Sequence, residues 1–185
     1  MEIRAATLDD AEALRSIYNH WVATSTFTFD MVPRDLEEQR RWMTERSGAH
    51  AVLVACDGDV VLGFGSLSPY RNRPAYATTV EDSVYVHPDH HRRGVGRALV
   101  AELVVVARRH GFHAIISRIV GGHRASIELH RSVGFEVVGT EREVGRKFGR
   151  WLDVVVLQLL VGGAVDDGPP GSDASEPGGA ASLAT

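Results

Sequence analysis

Short runs in which apolar and polar residues alternate are separated by stretches in which apolar residues recur every three or four positions, and this pattern predicts a mixed α/β domain. Ile3 to Ala6 reads as a short strand, and Thr7-Leu8-Asp9-Asp10 as a helix start with a hydroxyl cap and an acidic first turn, the helix running towards Trp21. Thr24 to Asp30, rich in Thr and Phe, reads as a loop that packs on something, and it leads past Pro33 into a second helix around Leu36 to Met43. Ala51 to Ala55 and Val60 to Ser66, joined at Asp57-Gly58-Asp59, predict an antiparallel hairpin. Thr78 to Val86 is a further strand, and a basic, glycine-containing turn after Pro88 opens a helix from Gly96 to His110 that Gly111 ends. Ala114 to Val120 reads as a strand, Ala125 to Ser132 as a short helix closed by Gly134, and Phe135 to Gly139 and Leu152 to Leu160 as the last two strands.

From Gly162 onward the composition turns to Gly, Pro, Ser, Ala and Asp with no periodic apolar residues, which divides the chain into a folded domain over 1–161 and a disordered tail over 162–185. At 185 residues one core is expected, with roughly 70% of the unfolded surface buried on folding. A net charge of −4 gives no general attraction to nucleic acid or anionic lipid. No apolar run approaches the roughly 20 residues that cross a bilayer and no signal pattern opens the chain, so a cytoplasmic location is expected. Cys56, the only cysteine, permits no internal disulfide and is expected to be buried in a strand.

The segment His91-Arg92-Arg93-Gly94-Val95-Gly96-Arg97 follows a strand and starts a helix, where successive backbone N–H groups converge on an anion. Gly94 and Gly96 remove side chains that would hold a phosphate away, and Arg92, Arg93 and Arg97 add positive charge. No Gly-Lys-Ser/Thr ending marks a nucleotide P-loop, and Leu99 stands where a dinucleotide fold needs a small residue, so a CoA diphosphate fits the turn better.

Val84-Tyr85-Val86-His87-Pro88 followed by Arg92-Arg93-Gly94-Val95-Gly96-Arg97 resembles the acetyl-CoA signature of the GNAT superfamily of N-acetyltransferases, and the resemblance extends from Ile3 to about Val161. It implies the acyl-CoA N-acyltransferase fold: a central, mostly antiparallel, twisted sheet flanked by helices, with strands splayed at the cofactor site. It also implies that acetyl-CoA is the cosubstrate, pairing its pantetheine amides with the backbone of Val84 to Val86. Two positions depart from the family pattern: His91 stands where Gln or Arg is usual, and His123, in Gly121-Gly122-His123, where the family has a cofactor-contacting Asn. His123 and Ser126 are carried over as cofactor contacts.

Acetylating an amine requires a base, because an α-amino group with a pKa of about 8 is mostly protonated at neutral pH. Glu81, on the strand that leads into the basic turn, is the candidate, and alternation places it on one face with Ser83. His130 lies on the short helix where the superfamily carries a Tyr near the leaving sulfur; an imidazole there is a feature of the phosphinothricin and methionine sulfoximine acetyltransferase branch, whose catalytic pair is this His and the strand Glu. Backbone N–H groups around Tyr85 are candidate oxyanion donors, and attack is expected to be direct, without an acyl-enzyme.

Ser68-Pro69-Tyr70-Arg71-Asn72-Arg73-Pro74-Ala75-Tyr76 resembles the substrate loop of that branch, and Arg71 and Arg73 suit a carboxylate or phosphinate. Arg71, Asn72, Arg73, Glu81, Asp82 and Ser83 are thus the expected acceptor contacts, for phosphinothricin, methionine sulfoximine or methionine sulfone. Val144 to Asp153 resembles the loop between the last two strands that closes over the acceptor, Thr26 to Phe29 resembles the branch's amino-terminal segment, and the branch implies a homodimer. Another amine acceptor, or a non-catalytic acyl-CoA sensor, remains the alternative. Nine histidines raise the question of a metal, but no His-Glu-x-x-His pattern or cysteine set accompanies them, so none is expected.

Overall fold

Among the described residues a seven-stranded sheet runs in the order β1 (Glu2–Ala5), β2 (Val52–Asp57), β3 (Val60–Pro69), β4 (Thr79–Val86), β5 (Ala114–Val120), β7 (Arg150–Leu160), β6 (Glu136–Lys147). Its helices are α1 (Ala11–Thr24), α2 (Leu36–Thr44), α3 (Val95–Arg109) and α4 (Arg124–Arg131). This computed structural model describes residues 1–162; the tail expected beyond Gly162 lies outside the described residues. The final described residues close onto the sheet, Val161 and Gly162 both donating their N–H groups to the His113 carbonyl.

Two cores sandwich the sheet. On one face α3 buries Leu99, Leu103 and Ala107, spaced four apart, with Val95, Val100 and Val104 beside them, against Leu62, Leu67, Val80 and Ile115. Truncating a fully buried leucine such as Leu99 to Ala costs on the order of 2–5 kcal/mol in such a setting. On the other face α1 and α2 pack Leu14, Ile17, Tyr18 and Met43 on Val52, Val54 and Phe64. Cys56 is buried in this second core.

The expected mixed, mostly antiparallel architecture is observed, and most element boundaries shift by only one to three residues. The exception is the stretch expected as a loop from Thr140 to Trp151. Here β6 runs on to Lys147 and β7 begins at Arg150, so the connection is a tight turn at Phe148-Gly149, both with positive φ (49° and 75°). Exposed charged residues such as Arg142, Glu143 and Arg146 masked the strand, because an edge ribbon with solvent on one side tolerates charge at alternate positions.

Candidate active site

Every neighbouring pair in the sheet is antiparallel except β4 and β5, which run parallel for only four rungs, from Thr79 with Ala114 to Asp82 with Ser117. Beyond that rung the two strands part, β4 staying with β3 as far as Val86 and β5 with β7 as far as Val120. The splay expected at the cofactor site is therefore present. Peptide groups alternate sides along a strand: the His87 N–H bonds the Leu62 carbonyl on β3 at 2.8 Å, so Tyr85 and Ser83 also face β3. Val84 and Val86 consequently turn their peptide groups into the gap. Of the N–H groups around Tyr85, those of Val84 and Val86 thus face the gap, whereas Tyr85's own is directed to β3.

A cavity of about 750 Å³ fills this gap, within the size range of small-ligand sites. One end is the start of α3. Gly94 caps the helix at φ 79°, a left-handed conformation natural to glycine, and the first intrahelical bond runs from Ala98 N–H to the Gly94 carbonyl. The N–H groups of Val95, Gly96 and Arg97 are left unpaired within the helix and aligned with the positive end of its dipole. A β-carbon at Gly96 would press on the Leu129 side chain, so the glycine also lets α3 and α4 approach. Arg92, Arg93 and Arg97 are exposed, and Arg92 and Arg97 line the cavity together with Gly94, Val95 and Gly96, whereas Arg93 turns to the His90 ring at 2.9 Å. An anionic group followed by an amide-bearing arm fits these donors together with the Val84 peptide and the Val86 N–H, the Val86 carbonyl being taken by Trp21 Nε1 at 3.0 Å.

At the crotch of the gap, His130 reaches from α4 to β4. Its Nε2 is 2.9 Å from Asp82 Oδ2 and its Nδ1 is 2.8 Å from the Ser126 carbonyl, with the two side chains only 4% and 1% exposed. Burial opposes the imidazolium, but the Asp82 carboxylate and the Ser126 carbonyl outweigh it, and the His130 pKa is raised. The other Asp82 oxygen, Oδ1, is buried without a partner among the described residues, and Asp82 lines the cavity. Strand alternation turns Glu81 to the opposite face, paired with Ser68 and Ile116, where it shares a side with Ser83 as expected. Burial raises the Glu81 pKa; Arg118 opposes the shift, and Asp82 and Glu141 add to it. The expected substrate trio Glu81, Asp82 and Ser83 is therefore divided between the two faces.

His91 and His123 both line the cavity. His123 stacks on Phe27 with ring centroids 3.7 Å apart, and burial, with His91 and His130 nearby, lowers its pKa to about 4. Arg71, Asn72 and Arg73 are exposed on the loop between β3 and β4 and do not line the cavity; Arg71 lies over the Tyr70 and Tyr76 rings. On the Glu81 face, the loop after α1 meets the β6–β7 hairpin: buried Lys147 donates to the Thr28 carbonyl at 2.9 Å, and Phe29 sits where a side chain at Gly145 would be. Phe27, from the aromatic segment Thr26 to Phe29, lines the cavity, as do Trp21, Ser117 and Leu129, which carry no site signal in the sequence. Ser117 sits at the end of the short parallel pairing, a place that no local sequence pattern marks. Among the described residues, no three His, Cys, Asp or Glu side chains come together as a metal site, and no helix is long and apolar enough to cross a membrane.

Residues 3–156 match the family described as the acetyltransferase (GNAT) domain. Phosphinothricin N-acetyltransferase of Streptomyces coelicolor is 40% identical over 158 residues, covering 83% of this chain and 92% of the relative. The L-methionine sulfoximine/L-methionine sulfone acetyltransferase of Salmonella typhimurium is 39% identical over 160 residues, covering 86% and 94%. Among solved structures, a GNAT superfamily phosphinothricin acetyltransferase from Sinorhizobium meliloti in complex with acetyl-CoA superposes with a TM-score of 0.86 at 35% identity, covering 91% of this chain and 92% of that one.

Proposed function

The chain belongs to the GNAT acetyltransferase family, and from that premise we propose that it moves the acetyl group of acetyl-CoA to the α-amino group of a small amino-acid-like acceptor such as phosphinothricin, methionine sulfoximine or methionine sulfone. One observation carries the reading: the splay of β4 from β5 opens one cavity that contains both the free N-terminus of α3 and the Asp82–His130 pair. The named substrates of the relatives supply the acceptor class.

Acetyl-CoA would bring an acetyl group activated as a thioester. The N–H groups of Val95, Gly96 and Arg97, with the guanidinium groups of Arg92 and Arg97, hold its diphosphate, and Arg93, turned to the His90 ring, adds only to the positive charge nearby. The Val84 peptide and the Val86 N–H pair with its amide-bearing arm, bordered by His123 and Ser126. Glu81, with its raised pKa, takes a proton from the acceptor's ammonium at its carboxylate, directly or through one water. His130, whose protonated form Asp82 favours, is assigned to give the departing sulfur its proton. Cys56 is 4% exposed in the other core and away from the cavity lining, which supports direct transfer without an acyl-enzyme.

Arg71, Asn72 and Arg73 are assigned to the acceptor's anionic end. In support, neither Arg71 nor Arg73 has a carboxylate at ion-pair distance among the described residues. The protein is assigned as a homodimer, with the hairpin tip, where Phe148 and Trp151 are 57% and 62% exposed, favouring a covered surface there. Release of CoA thiol from acetyl-CoA, measured with phosphinothricin, methionine sulfoximine and methionine sulfone beside lysine and spermidine, tests the acceptor class. Turnover with the first three supports it; turnover with only lysine or spermidine overturns it.

A further inference from the structure

The two histidines that depart from the family pattern stand at the ends of one continuous stack of rings. His91 lies 5.2 Å from Trp21 at an interplanar angle of 11°, Trp21 lies 5.3 Å from Phe27 at 38°, and Phe27 lies 3.7 Å from His123 at 4°. His91 follows the end of β4 and His123 follows the end of β5, while Trp21 and Phe27 come from the end of α1 and the loop after it. The four rings therefore tie together the far ends of the two strands that part at the Asp82–Ser117 rung. They cross the open mouth of the gap, and all four line the cavity.

The two halves of the stack are fastened differently. Trp21 Nε1 donates to the Val86 carbonyl at 3.0 Å, and His91 Nε2 points at the same oxygen at 3.3 Å, so this end is bonded to the sheet. Neither the Phe27 ring nor the His123 ring is tied by a side-chain hydrogen bond among the described residues, and Phe27 is 37% exposed. The low pKa of His123 keeps its imidazole uncharged at neutral pH, so it lies on the phenyl ring as a flat, apolar partner.

Resting on the proposed use of acetyl-CoA, we propose that the His91–Trp21–Phe27–His123 stack is a strap closed over the pantetheine arm, and that the arm enters and leaves by parting the Phe27–His123 seam. The diphosphate then sits outside the strap at the α3 N-terminus and the thioester inside it at the crotch, with the arm passing beneath. Trp21 and His91 also fill the Val86 carbonyl, which leaves the Val84 peptide and the Val86 N–H as the free pairing groups for the arm.

A gate and a plain wall contact differ in kinetics. Opening a gate speeds entry and exit together, whereas removing a wall contact speeds exit alone. Stopped-flow measurement of acetyl-CoA association and dissociation, with tryptophan fluorescence as the signal, separates them in wild type, Phe27→Ala, His123→Ala and Phe27→Tyr. The seam is an aromatic pair worth about 0.5–1.5 kcal/mol, so both rate constants are expected to rise roughly two- to tenfold in the two alanine variants and to stay near wild type in Phe27→Tyr. Equal thermal melting of the four proteins excludes misfolding; for a variant that melts lower, the comparison is made at a temperature where it is fully folded. Wild-type rates in both alanine variants, or faster dissociation with unchanged association, overturns the strap while leaving acetyl-CoA use intact. Absence of binding in the wild type removes the proposed function and the strap with it.

Discussion

His130 Nε2 lies 2.9 Å from Asp82 Oδ2, an almost fully buried contact that joins a helix to a strand residue 48 positions earlier in the chain. Because the Ser126 carbonyl can only accept, the Nδ1 atom opposite it carries a proton, and the Asp82 carboxylate then favours a second proton on Nε2. The contact thus favours the protonated imidazole beside the cavity. In the proposed mechanism this contact gives Asp82 the role of positioning His130.

Asp82→Asn is expected to lower kcat by on the order of a hundredfold with little change in KM for acetyl-CoA, since it removes the charge that holds the imidazolium. The pH profile gives the sharper check. With the His130 pKa raised, wild-type kcat declines only above the ordinary imidazole range, and in the variant the decline moves to lower pH. An unmoved alkaline limb contradicts the pairing.

The same contact links stability to pH. His130 has a higher pKa folded than unfolded, so its contribution is fully present below the unfolded value of about 6.5 and is lost as pH rises through the folded value. Urea titrations of wild type and Asp82→Asn should therefore differ most on the acidic side of that window and converge above it.

Glu81→Gln keeps the shape of the side chain and removes its basicity. A fall in kcat of about a hundredfold or more is expected, with KM nearly unchanged. Because burial raises the Glu81 pKa, the acidic limb of the wild-type kcat/KM profile should lie above the ordinary carboxylate range, and that limb should disappear in the variant. Activity near wild type removes Glu81 as the base.

Lys147→Ala tests how the hairpin and the loop after α1 hold each other. Its ammonium donates to the Thr28 carbonyl in a buried setting, and deleting it leaves that oxygen unpaired at a cost of roughly 1–3 kcal/mol. Thermal unfolding reads the loss. An unchanged melting temperature means that water replaces the bond and the hairpin is not anchored there.

Much of this architecture was legible in the chain. The four-residue spacing of Leu99, Leu103 and Ala107 is that of the buried stripe of α3, and the glycines at Gly94 and Gly96 mark the helix start, because glycine suits a left-handed cap and a close helix approach. The face shared by Glu81 and Ser83 followed from strand alternation alone. What alternation could not give was a partner for Asp82, which depends on how α4 settles over β4. The far half of β6 is not legible in the sequence because its exposed charges carry no hydrophobic period. The ring stack joins α1, the turn after β4 and the start of α4, three segments that meet only once the sheet has splayed, so no local pattern announces it.

Isothermal titration of the folded protein with acetyl-CoA tests the central claim most directly, since every assigned role depends on a diphosphate-bearing thioester occupying the β4–β5 gap. Saturable binding is expected, weakened when Arg92 and Arg97 are both replaced by Ala without loss of fold. No heat of binding from either acetyl-CoA or CoA, with the protein shown to be folded by circular dichroism, would contradict the account.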